Sequence, residues 1–265
     1  MIESEVFDEL FVLEMANNHW GKLERGLKIV KDFSRVENAL TTLFQGDGVR
    51  KEILNAGELS DSMITERSPA PFTKAVMKLM AEQDRHRVLF VTKSTDVDNL
   101  IGIENKEQAV VSFSLNAPDV AERWEKAPSP AARIEAAGRL KDVGYEVRLR
   151  IDPMVPIEGW KEDYLGLLDM IFDRLTPDRI TIGSLRGLQS TINNAPDKSW
   201  TEYLAERSNW GRKIPTAARL EMYRTIVLAL RGQHKFKKVA LCKETVSMWE
   251  LLGMDWRNIK CNCTI

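Results

Sequence analysis

The stretch Val88-Leu89-Phe90-Val91-Thr92-Lys93 decides the fold. Four apolar residues follow one another without polar alternation. That pattern suits a strand buried on both faces, as in a parallel sheet. Similar runs recur outward from it, at residues 10–15, 51–54, 109–115, 146–151, 179–182 and 238–242. Helical patterns lie between them. Ser129-Pro130 supplies an N-cap and a first-turn proline, Ile134, Ala137 and Leu140 repeat at helical spacing, and Gly144 closes the segment. Residues 72–80, 164–175 and 215–230 carry three more amphipathic segments.

Strands alternating with helices read as parallel βα units. Seven candidate strands in 265 residues predict an α/β fold, a complete or partial TIM-type (β/α) barrel with parallel strands and outer helices, in a single domain over residues 1–265. An open doubly wound sheet competes, but no GxGxxG or P-loop is present. Residues 187–213 are polar and read as a long insertion or loop.

Composition bounds the function. The chain has 38 Lys plus Arg against 39 Asp plus Glu, so a general electrostatic grip on nucleic acid is not indicated, although a local basic patch remains open. No apolar run reaches the ~20 residues of a membrane span, and the acidic start Met1-Ile2-Glu3-Ser4-Glu5 does not open a secretory signal. Three cysteines, Cys242, Cys261 and Cys263, argue for a reducing, cytoplasmic setting. His86 and His234 sit in charged surroundings that read as surface. The three histidines show no zinc spacing.

Barrel chemistry collects where strands end at their C-terminal edge. Those ends read Gly57-Glu58-Leu59-Ser60-Asp61-Ser62, Thr92-Lys93-Ser94, Ser114 and Asn116, Arg150 and Asp152-Pro153, Gly183-Ser184-Leu185-Arg186, and Lys243-Glu244. Lys93 and Arg150 follow or sit within apolar strands, where a charge is costly unless paired. Glu58, Asp61 and Asp152 are candidate partners for Lys93, and Cys242, Cys261 and Cys263 are candidate ligands of a metal or of three irons of a cluster.

From about residue 37 to the end, these stretches, with Val97-Asp98-Asn99-Leu100, Val111-Ser112-Phe113-Ser114-Leu115-Asn116-Ala117-Pro118, Gly159-Trp160 and Cys261-Asn262-Cys263, resemble the spore photoproduct lyase-like branch of the radical SAM superfamily. The resemblance implies a partial (β/α)6 barrel with S-adenosylmethionine (SAM) and a [4Fe–4S] cluster as cofactors, lyase-type radical chemistry on a DNA lesion, and no protein partner. It implies that Gly57 and Glu58 hold the SAM amino group, Ser60 and Asp61 make polar contacts and Lys93 meets the carboxylate. Ser114 and Asn116 would face the ribose and Asp152 the adenine side, with Lys93, Glu58 and Asp152 as the catalytic set. Trp210-Gly211-Arg212-Lys213 resembles a basic hairpin, which would place Arg212 and Lys213 on DNA phosphates.

Two departures stand out. The CxxxCxxC loop is absent, with no cysteine before Cys242, and Glu58 stands where the lyase carries its hydrogen-donating cysteine. Residues 9–34, with Glu14, Asn18 and His19, are similar instead to the first βα unit of the sialic acid synthase family, so residues 1–36 read as one barrel's opening unit and 37–265 as another's remainder. Three functions follow: a lyase-like radical SAM protein impaired by loss of the cluster motif, a non-catalytic barrel keeping an adenosyl-ligand pocket, or a sialic acid synthase-like or Schiff-base barrel centred on Lys93, Glu14 and His19.

Overall fold

The structure is a computed structural model that describes residues 41, 44, 51–57, 61–208 and 211–264. The expected first strand at 10–15 with Glu14, Asn18 and His19, and also Glu58, Ser60 and Trp210, lie outside the described residues. In chain order the elements are β1 (Ile53–Asn55), α1 (Phe72–Met80), β2 (Arg87–Thr92), α2 (Asp98–Ile101), β3 (Ala109–Leu115), α3 (Pro118–Trp124), α4 (Pro130–Asp142), β4 (Glu146–Met154) and α5 (Trp160–Arg174). They continue with β5 (Arg179–Ser184), β6 (Arg186–Gly187), α6 (Gln189–Asn194), β7 (Glu206–Ser208), β8 (Gly211–Lys213), α7 (Thr216–Gly232), β9 (Val239–Leu241) and α8 (Val246–Leu251).

Six strands form a parallel sheet in the order β1-β2-β3-β4-β5-β9, with helices along the connections, which is a partial TIM-type α/β barrel. Every residue of β3 is buried, and β2 is buried from Val88 to Thr92. That is why its apolar run shows no alternation. The β4–β5 register shifts between Ile151 and Met154, at Asp152-Pro153, where proline has no N–H to give to the ladder.

The described residues fall into two compact units. One runs to Ser112 and takes in Asp142–Glu146 and the chain from Cys263 onward; the other holds Phe113–Lys141 and Val147–Asn262. In the first, Leu89, Val91 and Val110 pack with Ile53 and Cys263. The buried Glu66 carboxylate accepts from the Thr73 N–H and hydroxyl at 3.1 and 2.6 Å and from Asn99 Nδ2 at 2.9 Å, tying the start of α1 to α2. In the second, Leu167, Leu168 and Ile171 of α5 and Ile226, Val227 and Leu230 of α7 are buried, as are Leu149, Ile151, Ile180 and Ile182 of the strands. Ser129 Oγ accepts the Ala132 N–H at 3.3 Å ahead of α4, and Gly144 adopts φ +95° after it, the left-handed region that glycine tolerates.

Two sequence expectations are corrected. Residues 187–213 are not a plain loop: β6, β8 and β7 form a small antiparallel sheet in that order, with α6 between β6 and β7. Strands of two and three mostly polar residues leave no apolar period to read. At Gly211 (φ +90°) a Cβ would fall 2.4 Å from the Gly187 carbonyl oxygen, so the close approach of the two backbones requires glycine. His86 is not solvated. It is wholly buried, accepts the Glu52 N–H on Nδ1 at 3.3 Å and stacks on Phe44, while burial, reinforced by Arg85, lowers its pKa. His234 likewise stacks on Phe172, with ring centroids 4.4 Å apart.

Candidate functional site

In the first unit the site residues follow β1 and β2. Asn55 Oδ1 accepts the Gly57 N–H at 3.2 Å and closes the turn that leaves β1. Asp61 then folds back onto the end of β2. Its Oδ1 accepts the Met63 N–H at 2.9 Å and the Thr92 hydroxyl at 2.7 Å, and its Oδ2 accepts the Lys93 N–H at 2.6 Å. Ser62 Oγ takes the Val91 N–H at 2.8 Å. Asp61 therefore braces the backbone that carries Lys93, and its acceptor sites are largely occupied by protein donors. The structure brings Gly57, Asp61 and Lys93 into one strand-end segment.

In the second unit Asn116 is locked. Its Nδ2 donates to the Pro153 carbonyl at 2.9 Å, and its Oδ1 accepts from the Ala117 N–H at 3.0 Å and the Tyr164 hydroxyl at 2.8 Å. Burial raises the Tyr164 pKa, so that phenol stays a donor. The Ser114 carbonyl accepts from Arg133 Nη1 at 2.7 Å, which fixes the end of β3; Arg133 is itself paired with Glu125 at 2.6 Å.

Asp152 is held by Arg186 Nη2 at 3.1 and 2.9 Å, one contact to each carboxylate oxygen. A Cβ on Gly183 would stand 2.6 Å from the Asp152 carboxyl carbon, so the glycine makes room for that pair. Arg186 Nη1 also donates to the Cys242 carbonyl at 3.1 Å. The buried Cys242 thiol is pushed up to about 11 by burial first and by the adjacent Asp152 second, so it is a protonated thiol at neutral pH.

Next to this pair the wholly buried Glu244 side chain accepts from Arg219 Nη1 at 2.7 and 2.6 Å, from the Tyr223 hydroxyl at 3.1 Å and from Ser184 Oγ at 3.3 Å. Burial, with Glu244 as the nearest charge, raises the Tyr223 pKa well above its ordinary value. The β7–β8 hairpin divides its two cations. Arg212 is exposed and donates to the Leu204 carbonyl at 2.6 Å, whereas Lys213 is buried and turned toward Glu244.

Sequence reasoning named Arg186 and Glu244 only as strand-end residues, without their partners, and did not single out Arg219, Tyr164 or Tyr223 as site residues. Gly183 ahead of Arg186 and Glu244 after β9 were readable as strand ends. The tyrosines and Arg219 sit on helices, where periodicity reports only burial.

Cys242 and Cys261 lie at opposite ends of neighbouring strands. Cys242 follows the C-terminal end of β9, while the Cys261 carbonyl accepts from Arg179 Nη1 at 2.5 Å at the start of β5. The neighbouring Asn262 is wedged against the early part of β4 and β5. Its carbonyl takes Arg148 Nη1 at 2.6 Å, its N–H goes to Thr181 Oγ1 at 3.0 Å, and its Nδ2 goes to the Leu149 carbonyl at 2.7 Å. Cys263 packs on Leu89, Val91 and Val110 in the first unit. Among the described residues no three His, Cys, Asp or Glu side chains come together as a metal site. The protonated thiol of Cys242, and its place at the opposite strand end from Cys261, do not fit a thiolate-held iron–sulfur cluster.

Comparison with known proteins gives a consistent family. A sequence model described as "Spore photoproduct lyase" matches residues 50–183, half of the chain. The spore photoproduct lyase of Clostridium acetobutylicum is 28% identical over 124 residues, which are 46% of this chain and 37% of that protein. The Bacillus subtilis protein of the same name is 31% identical over 106 residues, 40% of this chain and 31% of that one. The matches thus span well under half the length of either relative. Among solved structures, spore photoproduct lyase complexed with dinucleoside spore photoproduct superposes with a TM-score of 0.65 at 17% identity, over 78% of this chain and 65% of that one. A mutant lyase with bound AdoMet and dinucleoside spore photoproduct gives the same TM-score of 0.65. These structures share the fold.

Proposed function

The chain belongs to the spore photoproduct lyase family, and on that premise we propose that it is a lyase-like radical SAM protein that binds an adenosyl ligand at its strand ends and holds no [4Fe–4S] cluster with its own thiols. The observation that carries the first half is the braced Lys93 segment, which pairs an Asp61-fixed backbone with a cation suited to a ligand carboxylate. Gly57, with Glu58 and Ser60 from the same stretch, would meet the amino group. Ser114, Asn116 and Asp152 would serve the nucleoside. Because Asn116 and Asp152 already have protein partners, they would act mainly by holding the strand ends in shape. Residues 37–265 are read as the family's partial barrel.

The second half rests on the cysteines. No CxxxCxxC occurs in the sequence, the three cysteines form no disulfide, and among the described residues no three His, Cys, Asp or Glu side chains gather as a metal site. Radical chemistry of the lyase type is therefore impaired in this chain acting alone. A nucleic-acid lesion fits as the kind of substrate from which the family takes its name, and Arg212 is the outward hairpin cation available to a phosphate. Three cysteines without a disulfide suit a reducing, cytoplasmic setting. Among the described residues no helix is long and apolar enough to cross a membrane.

Equilibrium dialysis against SAM and S-adenosylhomocysteine, before and after anaerobic iron–sulfur reconstitution, tests the reading. Equal binding in both preparations, without thiolate-to-iron charge-transfer absorption, supports it. An absorption band abolished by replacing Cys242, Cys261 and Cys263 together would overturn the cluster half, and no binding of either nucleoside would overturn the ligand half.

A further inference from the structure

The N-terminal ends of β5 and β9 carry charge that the strand-end site does not use. Between α7 and β9 the chain reads Arg231-Gly232-Gln233-His234-Lys235-Phe236-Lys237-Lys238, with Arg231, Lys235, Lys237 and Lys238 clustered in a protein whose net charge is −1. Helix C-termini favour cations. That accounts for Arg231 in the last turn of α7 and for Lys235, whose Nζ donates to the Gly232 carbonyl at 2.5 Å. It does not account for Lys237 and Lys238. Their loop is fixed on both sides. The buried Phe236 gives its N–H to the Leu230 carbonyl at 2.8 Å and packs edge-on to Phe172, and Val239 enters the sheet. Both lysines are exposed between these anchors.

The exposed Lys260 reaches the same edge. The Lys238 carbonyl accepts the Ile180 N–H at 3.0 Å, and Arg179, the residue before Ile180, donates to the carbonyl of Cys261, the residue after Lys260. Trp256 stands one turn before Lys260, where the Ile259 N–H meets the Asp255 carbonyl at 3.0 Å; it is 43% exposed, and Arg257 lies over its ring at 4.6 Å. Among the described residues the side chains of Lys237, Lys238 and Lys260 make no hydrogen bond or ion pair. Carboxylates of this edge are engaged elsewhere. Asp169 takes Gln233 at 2.7 Å and faces His234 at 3.4 Å, and Asp178 takes Lys141 at 2.5 Å and the Val147 N–H at 2.8 Å. Asp255 accepts from the Arg257 N–H at 2.9 Å and Asn258 Nδ2 at 2.5 Å. Asp173, near the end of α5, is exposed and opposes the lysines with a single charge.

Cations that repel one another on a rigid edge are relieved by a polyanion laid along it. The indole beside them selects among polyanions, because it offers a face on which a base stacks. We propose that Lys237, Lys238 and Lys260, with Trp256, form a docking face for single-stranded nucleic acid, the lysines taking phosphates and the indole a base. Arg186 and Glu244 follow the C-terminal ends of β5 and β9, whereas this face lies at their N-terminal ends. It therefore retains a strand without presenting a nucleotide to the adenosyl site, and it depends neither on adenosyl-ligand binding nor on the hairpin's Arg212.

Fluorescence anisotropy of a labelled oligodeoxythymidine, titrated with the whole chain over a series of salt concentrations, tests it. One variant carries Lys237→Gln, Lys238→Gln and Lys260→Gln together. The charge-matched control carries Lys51→Gln, Lys74→Gln and Lys78→Gln, three exposed lysines of the other unit. The wild type is expected to bind with a steep salt dependence. Three phosphate contacts at ~0.7 each make the slope of log K against log salt shallower by about 2 in the first variant, with a loss of at least ~10-fold in affinity at low salt. The control keeps both slope and affinity. Trp256→Ala weakens binding several-fold at an unchanged slope.

No oligonucleotide binding by the wild type at low salt, or equal binding by the wild type and the first variant, overturns the face. Binding lost in Arg212→Gln but kept in the first variant overturns it as well and assigns the contact to the hairpin. Anionic phosphatidylserine vesicles are the alternative probe: sedimentation with them that needs the three lysines, without oligonucleotide binding, overturns the nucleic-acid partner in favour of a membrane surface. Calorimetry with SAM separates the two readings. Lysine-dependent oligonucleotide binding in a chain that binds no SAM sustains the face while the adenosyl reading fails, and SAM binding without it does the reverse.

Discussion

Asp61→Ala removes the brace at the end of β2. Three donors lose their acceptor together: the Met63 N–H at 2.9 Å, the Thr92 hydroxyl at 2.7 Å and the Lys93 N–H at 2.6 Å. Partly exposed hydrogen bonds contribute roughly 1 kcal/mol each after water competition, so the expected loss is about 2–4 kcal/mol. With a urea slope of about 2 kcal/mol/M, the unfolding midpoint falls by about 1–2 M. Asp61→Asn keeps the acceptor at Oδ1 but sets an N–H₂ against the Lys93 N–H, and costs about 1–2 kcal/mol. Urea titration followed by tryptophan fluorescence measures both. Calorimetry adds the functional half. If Asp61 acts through Lys93, adding Asp61→Asn to Lys93→Met weakens SAM binding no further than Lys93→Met alone. A midpoint change in Asp61→Ala corresponding to less than about 0.5 kcal/mol would refute the brace. Independent, additive losses of SAM affinity would show that Asp61 touches the ligand directly.

Three further outcomes follow from the second unit. Glu244→Ala strands Arg219 without its bidentate carboxylate and should cost about 3–5 kcal/mol, read as a drop in urea midpoint, whereas Glu244→Gln should cost visibly less. Gly183→Ala drives a Cβ into the Asp152 carboxylate and should destabilise by about 1–3 kcal/mol; a neutral melt would show that Asp152 is free to move. Cys242, with its thiol pushed up to about 11, should alkylate more slowly at pH 8 than the half-buried Cys261, as measured by peptide mass spectrometry. Because its folded pKa lies above the ordinary 9.0, its contribution to stability is complete below pH 9 and is lost as pH rises through about 11.

The strands were legible where burial on both faces left a continuous apolar run: β2 and β3 coincide with residues 88–92 and 109–115 to within a residue. Helix α1 was legible from its apolar spacing, and α4 from Ser129-Pro130 and Gly144. The β6–β8 sheet was not, because Glu206–Ser208 and Gly211–Lys213 are too short and polar to carry a period. At the site, polar residues after strands could be named, but their partners could not. Asp61 serving the Lys93 backbone, Arg186 closing on Asp152 and Tyr164 reaching Asn116 are contacts between segments up to 48 residues apart. The same holds for the C-terminal thiols: nothing in Cys261-Asn262-Cys263 reveals that Asn262 is the buried wedge and that its neighbours flank it.

The most direct measurement of the central claim is isothermal calorimetry of SAM into iron-free protein, wild type against Lys93→Met. The account predicts saturable binding near one SAM per chain in the wild type and a loss of at least ~10-fold in affinity in the variant, the ~1.4 kcal/mol or more expected of a charge-assisted contact. No binding by the iron-free wild type, or equal affinity in the two proteins, would contradict it.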